Sequence, residues 1–370
     1  MKSDLFIAAG EASADIHGAR VLEHLKQGRS DLSIFGIGGE AVGRQGAELV
    51  VSASELSLFG ITNLIGRAPE IWKSYRKLVS EIERRSPRCA LLIDMPDLNL
   101  KLARHLKARG TRVFYYISPQ VWAWRGYRVK KIQRLVDKMM VVFPFEQDFY
   151  RARGVEAEFV GHPLIESIAA RKAYRSQGEI SAAPRIALLP GSRPSELRHH
   201  LGKLNETVSI LRRHFPKAEF RLPIPPTLPT QEVKDRLVQP VLAQAGGALE
   251  ILAWADIALI ASGTATLEAA LVGTPSTLFY EVSSLNAWVY KNFVRYQGYM
   301  GMPNVLLKEE AIREWFQDEA TVDNLVGEAR RLIEDEKYRA RVTQRLTHCR
   351  RLLGGAGASQ KVAENILAHL

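Results

Sequence analysis

The chain has 370 residues, more than one hydrophobic core usually serves, so two domains are the default expectation. Its 46% hydrophobic and 25% charged residues are ordinary for a globular protein and exclude a disordered, collagen-like or coiled-coil chain. No apolar run approaches the roughly 20 residues of a bilayer span, and the net charge of +11 favours an anionic partner: nucleic acid, acidic lipid headgroups or a phosphorylated substrate.

Leu5 to Ala9 reads as a first strand rather than a signal peptide, because the apolar run is brief and Glu11 and Asp15 follow at once. Asp15 to Lys26 is predicted as a helix with Ile16, Ala19, Leu22 and Leu25 on one face, and Leu32 to Ile37 as a second strand. A long helix is predicted after Pro69, carrying Ile71, Tyr75, Leu78, Val79 and Ile82 at helical spacing. Ala90 to Ile93 is continuously apolar, as a strand buried on both faces of a parallel sheet must be. Leu98, Leu102 and Leu106 mark a helix closed by Gly110, and Val113 to Ile117, Met139 to Val142 and Glu158 to Val160 supply further strands. Cys89 and Cys349, far apart and outside any CxxC spacing, read as reduced cytosolic residues.

The stretch 166–184 has few strand signals and is taken as a linker. Beyond it the alternation resumes, with strands at Ile186 to Leu189, Glu219 to Leu222, Ile257 to Ile260 and Thr277 to Tyr280, and from about Glu309 the chain reads as helix almost throughout. Strands alternating with helices predict parallel sheets wound by helices. The expected fold class is therefore α/β, with two Rossmann-like doubly wound domains facing a central cleft. The expected boundaries are 1–165, a linker at 166–184, 185–345, and C-terminal helices at 346–370.

Four segments at strand ends have the residue types that chemistry needs. Gly10-Glu11-Ala12-Ser13-Ala14-Asp15 lies between the first strand and first helix, where doubly wound sheets bind ligands. Ser13 or Asp15 can cap the helix, whereas the Glu11 carboxylate in a glycine turn has little packing value and is a candidate catalytic group. In Asp94-Met95-Pro96-Asp97, Asp97 suits a helix cap, which leaves Asp94 as the candidate general base beside apolar walls that would raise its pKa. In Pro190-Gly191-Ser192-Arg193, the glycine permits close backbone approach and Arg193 can hold a phosphate in a forked contact. Ser262-Gly263-Thr264-Ala265-Thr266-Leu267-Glu268 opens a helix whose amides and dipole suit a diphosphate, with Glu268 placed to accept hydrogen bonds from a ribose diol.

Weaker signals compete with these. Gly36-Ile37-Gly38-Gly39-Glu40-Ala41, with Glu55 further on, matches a dinucleotide-binding fingerprint but follows the second strand. His17 and His162 are candidate acid–base groups without a second metal ligand at helical spacing. Phe59, Ile61, Leu64, Ile65, Ile71 and Trp72, with the cations Lys73, Arg76 and Lys77, have the composition of a lipid-facing element. Aromatic and basic residues also interleave there, but no nucleic-acid-binding motif accompanies them.

Together and in this order, the motifs resemble the lipid-A-disaccharide synthase family across nearly the whole chain. The resemblance rests on the four segments above, on Ser118-Pro119-Gln120-Val121-Trp122-Ala123-Trp124-Arg125, Phe143-Pro144-Phe145-Glu146, Gly161-His162, and Pro303-Asn304. It implies a GT-B fold and an inverting transfer that uses no metal ion or other cofactor. The implied donor is UDP-2,3-diacylglucosamine, the acceptor is 2,3-diacylglucosamine 1-phosphate (lipid X), and the products are the β(1→6) disaccharide 1-phosphate of lipid A and UDP.

By the same resemblance Asp94 is the base and Arg193 and Asn304 bind ligand. Glu11, Ser13 and Asp15 belong to the acceptor side, and Ser262 to Glu268 to the UDP side. The Phe59 to Trp72 segment aligns with a membrane-facing patch, with polar Thr62 and Asn63 inside it. The implied setting is cytoplasmic, peripheral on the inner membrane of a Gram-negative cell, with no nucleic-acid partner, with a dimer or other oligomer left open, and with the helices of 346–370 packing on the first domain or swapping between protomers. The rivals are a UDP-sugar epimerase of the same architecture, a dinucleotide-dependent oxidoreductase using Gly36 to Ala41, and a basic RNA-binding protein.

Overall fold

A computed structural model describes residues 3–56, 64–123, 126–175, 180–225, 228, 230–238, 241–261, 263–282 and 298–370, without the side chains of 56, 64–68 and 263. The chain forms two compact units, 1–163 with 355–370, and 164–354.

In the first unit the elements run β1 (Leu5–Ala8), α1 (Ala12–Gly28), β2 (Ile34–Gly38), α2 (Glu40–Arg44), β3 (Glu48–Ser52), α3 (Ala53–Leu56), α4 (Leu64–Arg85), β4 (Cys89–Ile93) and α5 (Pro96–Ala108). They continue with β5 (Arg112–Tyr116), α6 (Arg128–Leu135), β6 (Lys138–Val141), α7 (Pro144–Arg151) and β7 (Ala157–Phe159). The seven strands form one sheet in the order β3-β2-β1-β4-β5-β6-β7, every neighbouring pair parallel. Each residue of β1, β2 and β4 is buried. That is why these strands are unbroken apolar runs, since helices cover both faces.

The second unit runs α8 (Pro163–Arg171), β8 (Arg185–Leu189), α9 (Pro194–His214), β9 (Glu219–Ile224), α10 (Thr230–Asp235), β10 (Val241–Ala245), α11 (Ala248–Trp254), β11 (Ile257–Ile260) and α12 (Gly263–Val272). After β12 (Ser276–Tyr280) come α13 (Met302–Leu307), β13 (Glu314–Phe316), α14 (Val322–Glu334) and α15 (Glu336–Leu352). Its six-stranded sheet has the order β10-β9-β8-β11-β12-β13, again all parallel. After Gly355 the chain returns to the first unit as α16 (Ala358–Leu367), which packs on α1 with Val362, Ala363 and Ile366 buried. The fit is close, for a Cβ on Gly28 would lie 2.8 Å from a Leu367 methyl.

Several expectations change in detail. The region read as a linker begins with α8. The helix placed after Pro69 already starts at Leu64. The C-terminal stretch read as continuous helix contains β13, which pairs with β12, and a short 3-10 turn at Gln317–Glu319. Strands β3, β10 and β13 went unpredicted.

Candidate active site

In both sheets the chain builds outward from a central strand in one direction and then jumps to its other side. Between β1 and β4, and again between β8 and β11, the two adjacent loops leave in opposite directions. A doubly wound sheet binds its ligand outside the carboxyl ends of such a strand pair. Gly10-Glu11 and Asp94-Met95 flank that point in the first unit, and Pro190 to Arg193 and Ala261 to Thr264 flank it in the second.

At the end of β4 the backbone turns sharply. Asp94 and Met95 both adopt left-handed conformations, with φ of 49° and 44°, which is costly for residues other than glycine and is kept only where the surroundings enforce it. The turn is pinned by the Asp94 amide, which donates to Tyr116 O at 3.1 Å. The Asp94 carbonyl accepts from the Asn99 amide nitrogen at 2.7 Å and from the Tyr115 hydroxyl. Asn99 also donates to Ile93 O at 3.1 Å and is 1% exposed. It is a positioning residue that the sequence reading missed, although a lone amide on a face with Leu98 and Leu102 was a signal. The Asp94 carboxylate is half-buried, and burial, reinforced by the neighbouring Glu11 carboxylate, pushes its pKa up to about 6. A base of that strength is ionised at neutral pH yet takes a proton readily.

Glu11 is exposed at the N-cap of α1 and makes no side-chain cap there; Ser13, in the first turn, is also exposed. Asp15 is different. It is buried, and its carboxylate accepts from the amides of Gly39 (2.6 Å), Ala41 (3.0 Å) and Val42 (3.1 Å). This corrects both its helix-capping and its acceptor-facing assignments, because Asp15 clamps α1 to the start of α2. The same bonds remove the dinucleotide reading, since the amides that would hold a pyrophosphate already hold Asp15. Gly36, with φ of 149°, is required by packing: a Cβ there would lie 1.9 Å from Ile7 O. Asp97 does not cap α5 either. Met95 occupies that position, and Asp97 pairs with Arg128.

In the second unit the N-cap of α9 is Arg193, whose side chain is 76% exposed. Glu196 shapes the loop: its Oε2 accepts from the amides of Ser192 (2.7 Å) and Arg193 (3.1 Å). A Cβ on Gly191, where φ is 109°, would lie 2.4 Å from the same oxygen. Glu196 thus fills the space beside Gly191 that close backbone approach would need, which corrects that expectation, while the Ser192 side chain is exposed and the Arg193 guanidinium, 3.8 Å from Glu196 Oε1, is largely in solvent. Beneath the loop His200 is fully buried. The Glu281 amide donates to its Nε2 (3.0 Å), so Nδ1 bears the proton and donates to Pro190 O (2.8 Å). Burial lowers its pKa and keeps the ring neutral.

At the start of α12, Thr264 is exposed and Ala265 half-buried, while the Thr266 side chain is fully buried. Glu268, half-buried one turn in, is pushed up to about 7 by burial. Asn304 is fully buried and saturated within its unit. Its amide nitrogen donates to Ile312 O (2.8 Å) and Glu314 Oε1 (2.7 Å), and its oxygen accepts from Ala311 (2.7 Å) and Ile312 (2.9 Å). That corrects its assignment as a ligand-binding residue: it ties α13 to β13.

The tryptophan loop is anchored by Glu146, 1% exposed, which accepts from the Phe143 amide (3.2 Å) and the Trp122 indole (3.3 Å). Burial pushes Glu146 up to about 8. His162 is buried beside Phe143, and burial together with the nearby His17 holds it neutral, at about 3. Trp72 is 60% exposed and Ile71 half-buried on α4. Phe59, Ile61, Trp124, Arg125, Ser262, and the side chains of Leu64 and Ile65 lie outside the described residues.

Paired parallel α/β units, one with carboxylates and the other with an arginine and a helix start at the corresponding switch point, define a GT-B glycosyltransferase fold. Its solved neighbours include a UDP-GlcNAc 2-epimerase from Neisseria meningitidis bound to UDP-GlcNAc (TM-score 0.64, 12% identity, 99% of each chain). They also include the calicheamicin glycosyltransferase CalG4 (TM-score 0.61, 15% identity, 100% of this chain and 98% of that one). The family description Lipid-A-disaccharide synthetase matches residues 5–367. The lipid-A-disaccharide synthase of Myxococcus xanthus is 38% identical over 98% of this chain and 96% of its own length. The chain belongs to the lipid-A-disaccharide synthase family, whose members form the disaccharide of lipid A.

Proposed function

We propose that the first unit binds lipid X and supplies the base, while the second holds the UDP moiety of UDP-2,3-diacylglucosamine. The observation that supports this most is the division of chemistry at the two switch points, carboxylates in one sheet and anion-binding groups in the other. Asp94 removes the proton from the acceptor's primary hydroxyl as that oxygen attacks the anomeric carbon of the donor. The bond from the anomeric carbon to the diphosphate breaks, and UDP leaves with the electron pair. Attack from the face opposite the leaving group converts an α-linked donor into a β-linked product.

Arg193 and the amides opening α12 at Gly263 and Thr264 hold the diphosphate, and their positive ends stabilise the charge that grows on it. Glu268 accepts from the ribose diol. Glu11, beside Asp94, orients the acceptor hydroxyl and keeps the base strong.

No helix among the described residues is long and apolar enough to cross a membrane. The acceptor is nonetheless a lipid, so we place the enzyme peripherally on the cytoplasmic face of the inner membrane, held through α4 and the segment before it.

The test is to mix the purified protein with both lipid substrates in excess EDTA and look for stoichiometric UDP and disaccharide. Release of UDP without disaccharide, or an altered monosaccharide in place of the disaccharide, would sink the reading in favour of hydrolysis or epimerisation.

A further inference from the structure

The first unit contains a groove of about 1080 Å³ between α4 and α5, as large as the biggest of the roughly 300–1,000 Å³ pockets that hold small ligands. Its walls are apolar where the helices face each other, through Ile71, Trp72 and Val79 on α4 and Leu98 on α5, with Met95 just before α5. Trp72 is 60% exposed on this wall and stacks on Tyr75 with ring centroids 5.6 Å apart. A bond of 3.1 Å between the Tyr75 hydroxyl and His105 Nε2 fixes Tyr75 across the groove. A tryptophan so oriented and so exposed leaves apolar surface in water, which a protein normally covers or uses.

The rim is basic. Arg76, Lys101 and Arg104 line it, all exposed, and among the described residues none of them forms a salt bridge. Three acids also line the groove: Asp97 pairs with Arg128, Glu83 lies 3.9 Å from His105, and Glu11 stands at the inner end. The local field is positive enough that Arg104, Lys101 and Arg128 add to burial in lowering the pKa of Lys131. At its inner end the groove reaches Glu11 and Met95, and so opens beside Asp94.

An apolar channel, a rim with three cations that form no ion pair among the described residues, and a carboxylate at one end match one kind of molecule: an acylated sugar bearing a phosphate. We propose that the α4–α5 groove takes an acyl chain of the acceptor against Trp72, Val79 and Leu98, while Lys101 and Arg104, assisted by Arg76, hold its phosphate. This inference rests on the first unit being the acceptor side.

The test uses the full chain in detergent micelles and reads equilibrium binding of lipid X without donor as well as steady-state turnover. Lys101→Ala with Arg104→Ala changes only exposed side chains and is expected to weaken lipid X binding and raise its KM at least tenfold. The kcat and the donor KM should stay within twofold. Dephosphorylated lipid X should bind the wild type and this variant equally. Val79→Trp, which fills the channel, should raise KM for long-chain acceptors and leave a short-chain acceptor unaffected.

Unchanged lipid X affinity in the double variant overturns the proposal, as does an equal loss for the dephosphorylated acceptor. So does a variant that no longer sediments with phosphatidylglycerol vesicles yet binds lipid X normally in micelles, because the cations would then serve the bilayer. Groove-dependent binding without any transfer would leave the groove standing and reject the functional reading instead.

Discussion

Asp94 illustrates how a reactive group is held at a cost to the fold. Its pKa of about 6 lies above the ordinary carboxylate value because its surroundings disfavour the charge. The ionised form is therefore less stable in the folded chain than in the unfolded one. This penalty is absent below about pH 4, where both states are protonated, and grows as pH rises through 6. Asp94→Asn is thus expected to raise the melting temperature at pH 8 and leave it unchanged near pH 4, while lowering kcat by roughly 10²–10⁴-fold. UDP affinity should hardly change; an undiminished kcat would remove Asp94 from the base role. In the wild type, kcat/KM should fall on the acid side with a midpoint near 6, and a flat profile down to pH 5 would count against the assignment.

Arg193 makes the opposite case, because its side chain is 76% exposed and contributes little to the fold. Arg193→Ala should leave thermal stability unchanged and weaken UDP binding by the value of a charged hydrogen bond, roughly 1.5–3 kcal/mol, or about 10–100-fold. A melting curve checks the first half and calorimetric titration with UDP the second. The places of Asp94 and Arg193 just beyond β4 and β8 were legible because each is a charged residue after an apolar run. Glu196 and His200 were not, since their work is to pin a loop through backbone contacts that no local pattern records, and for Asn99 the one signal was an amide among leucines.

Among the elements, central strands announced themselves, whereas of the four edge strands only β7 did. β1, β4 and β11 are buried along their whole length and read as continuous apolar runs. β3 (Glu-Leu-Val-Val-Ser), β10 (Val-Leu-Ala-Gln-Ala) and β13 (Glu-Trp-Phe) are only partly covered and have mixed sequences. β13 is three residues long and depends on its neighbours, through Asn304 and the amides of Met300 and Gly301, which donate to Glu314 (both 2.9 Å). Asn304→Ala strands the amides of Ala311 and Ile312. It should cost roughly 1–3 kcal/mol for each buried group left unsatisfied and speed hydrogen exchange in 311–316. Lost UDP affinity with unaltered stability and exchange would restore Asn304 to the ligand.

At the level of the whole molecule, the two α/β units could be read from the alternation of strands and helices, whereas the return of 355–370 to the first unit came only from the family resemblance, as one of two alternatives. Nothing in α16 distinguishes a helix that packs on α1 from one that packs on its sequence neighbours, because an amphipathic face does not name its partner. Deleting 355–370 should uncover the flank of α1 around Gly28 and lower the first unit's melting transition. The second unit's own transition should be unmoved, and differential scanning calorimetry would resolve the two.

That discontinuity has a consequence for biosynthesis. The second unit is one uninterrupted stretch and can close as soon as residue 354 clears the ribosome, whereas the first, although its sheet is translated earlier, waits for the final sixteen residues. Domains generally mature in the order of their synthesis; here the half emerging first is the last to be sealed. Until then the apolar flank of α1 stays open on the nascent polypeptide, the surface a chaperone would cover.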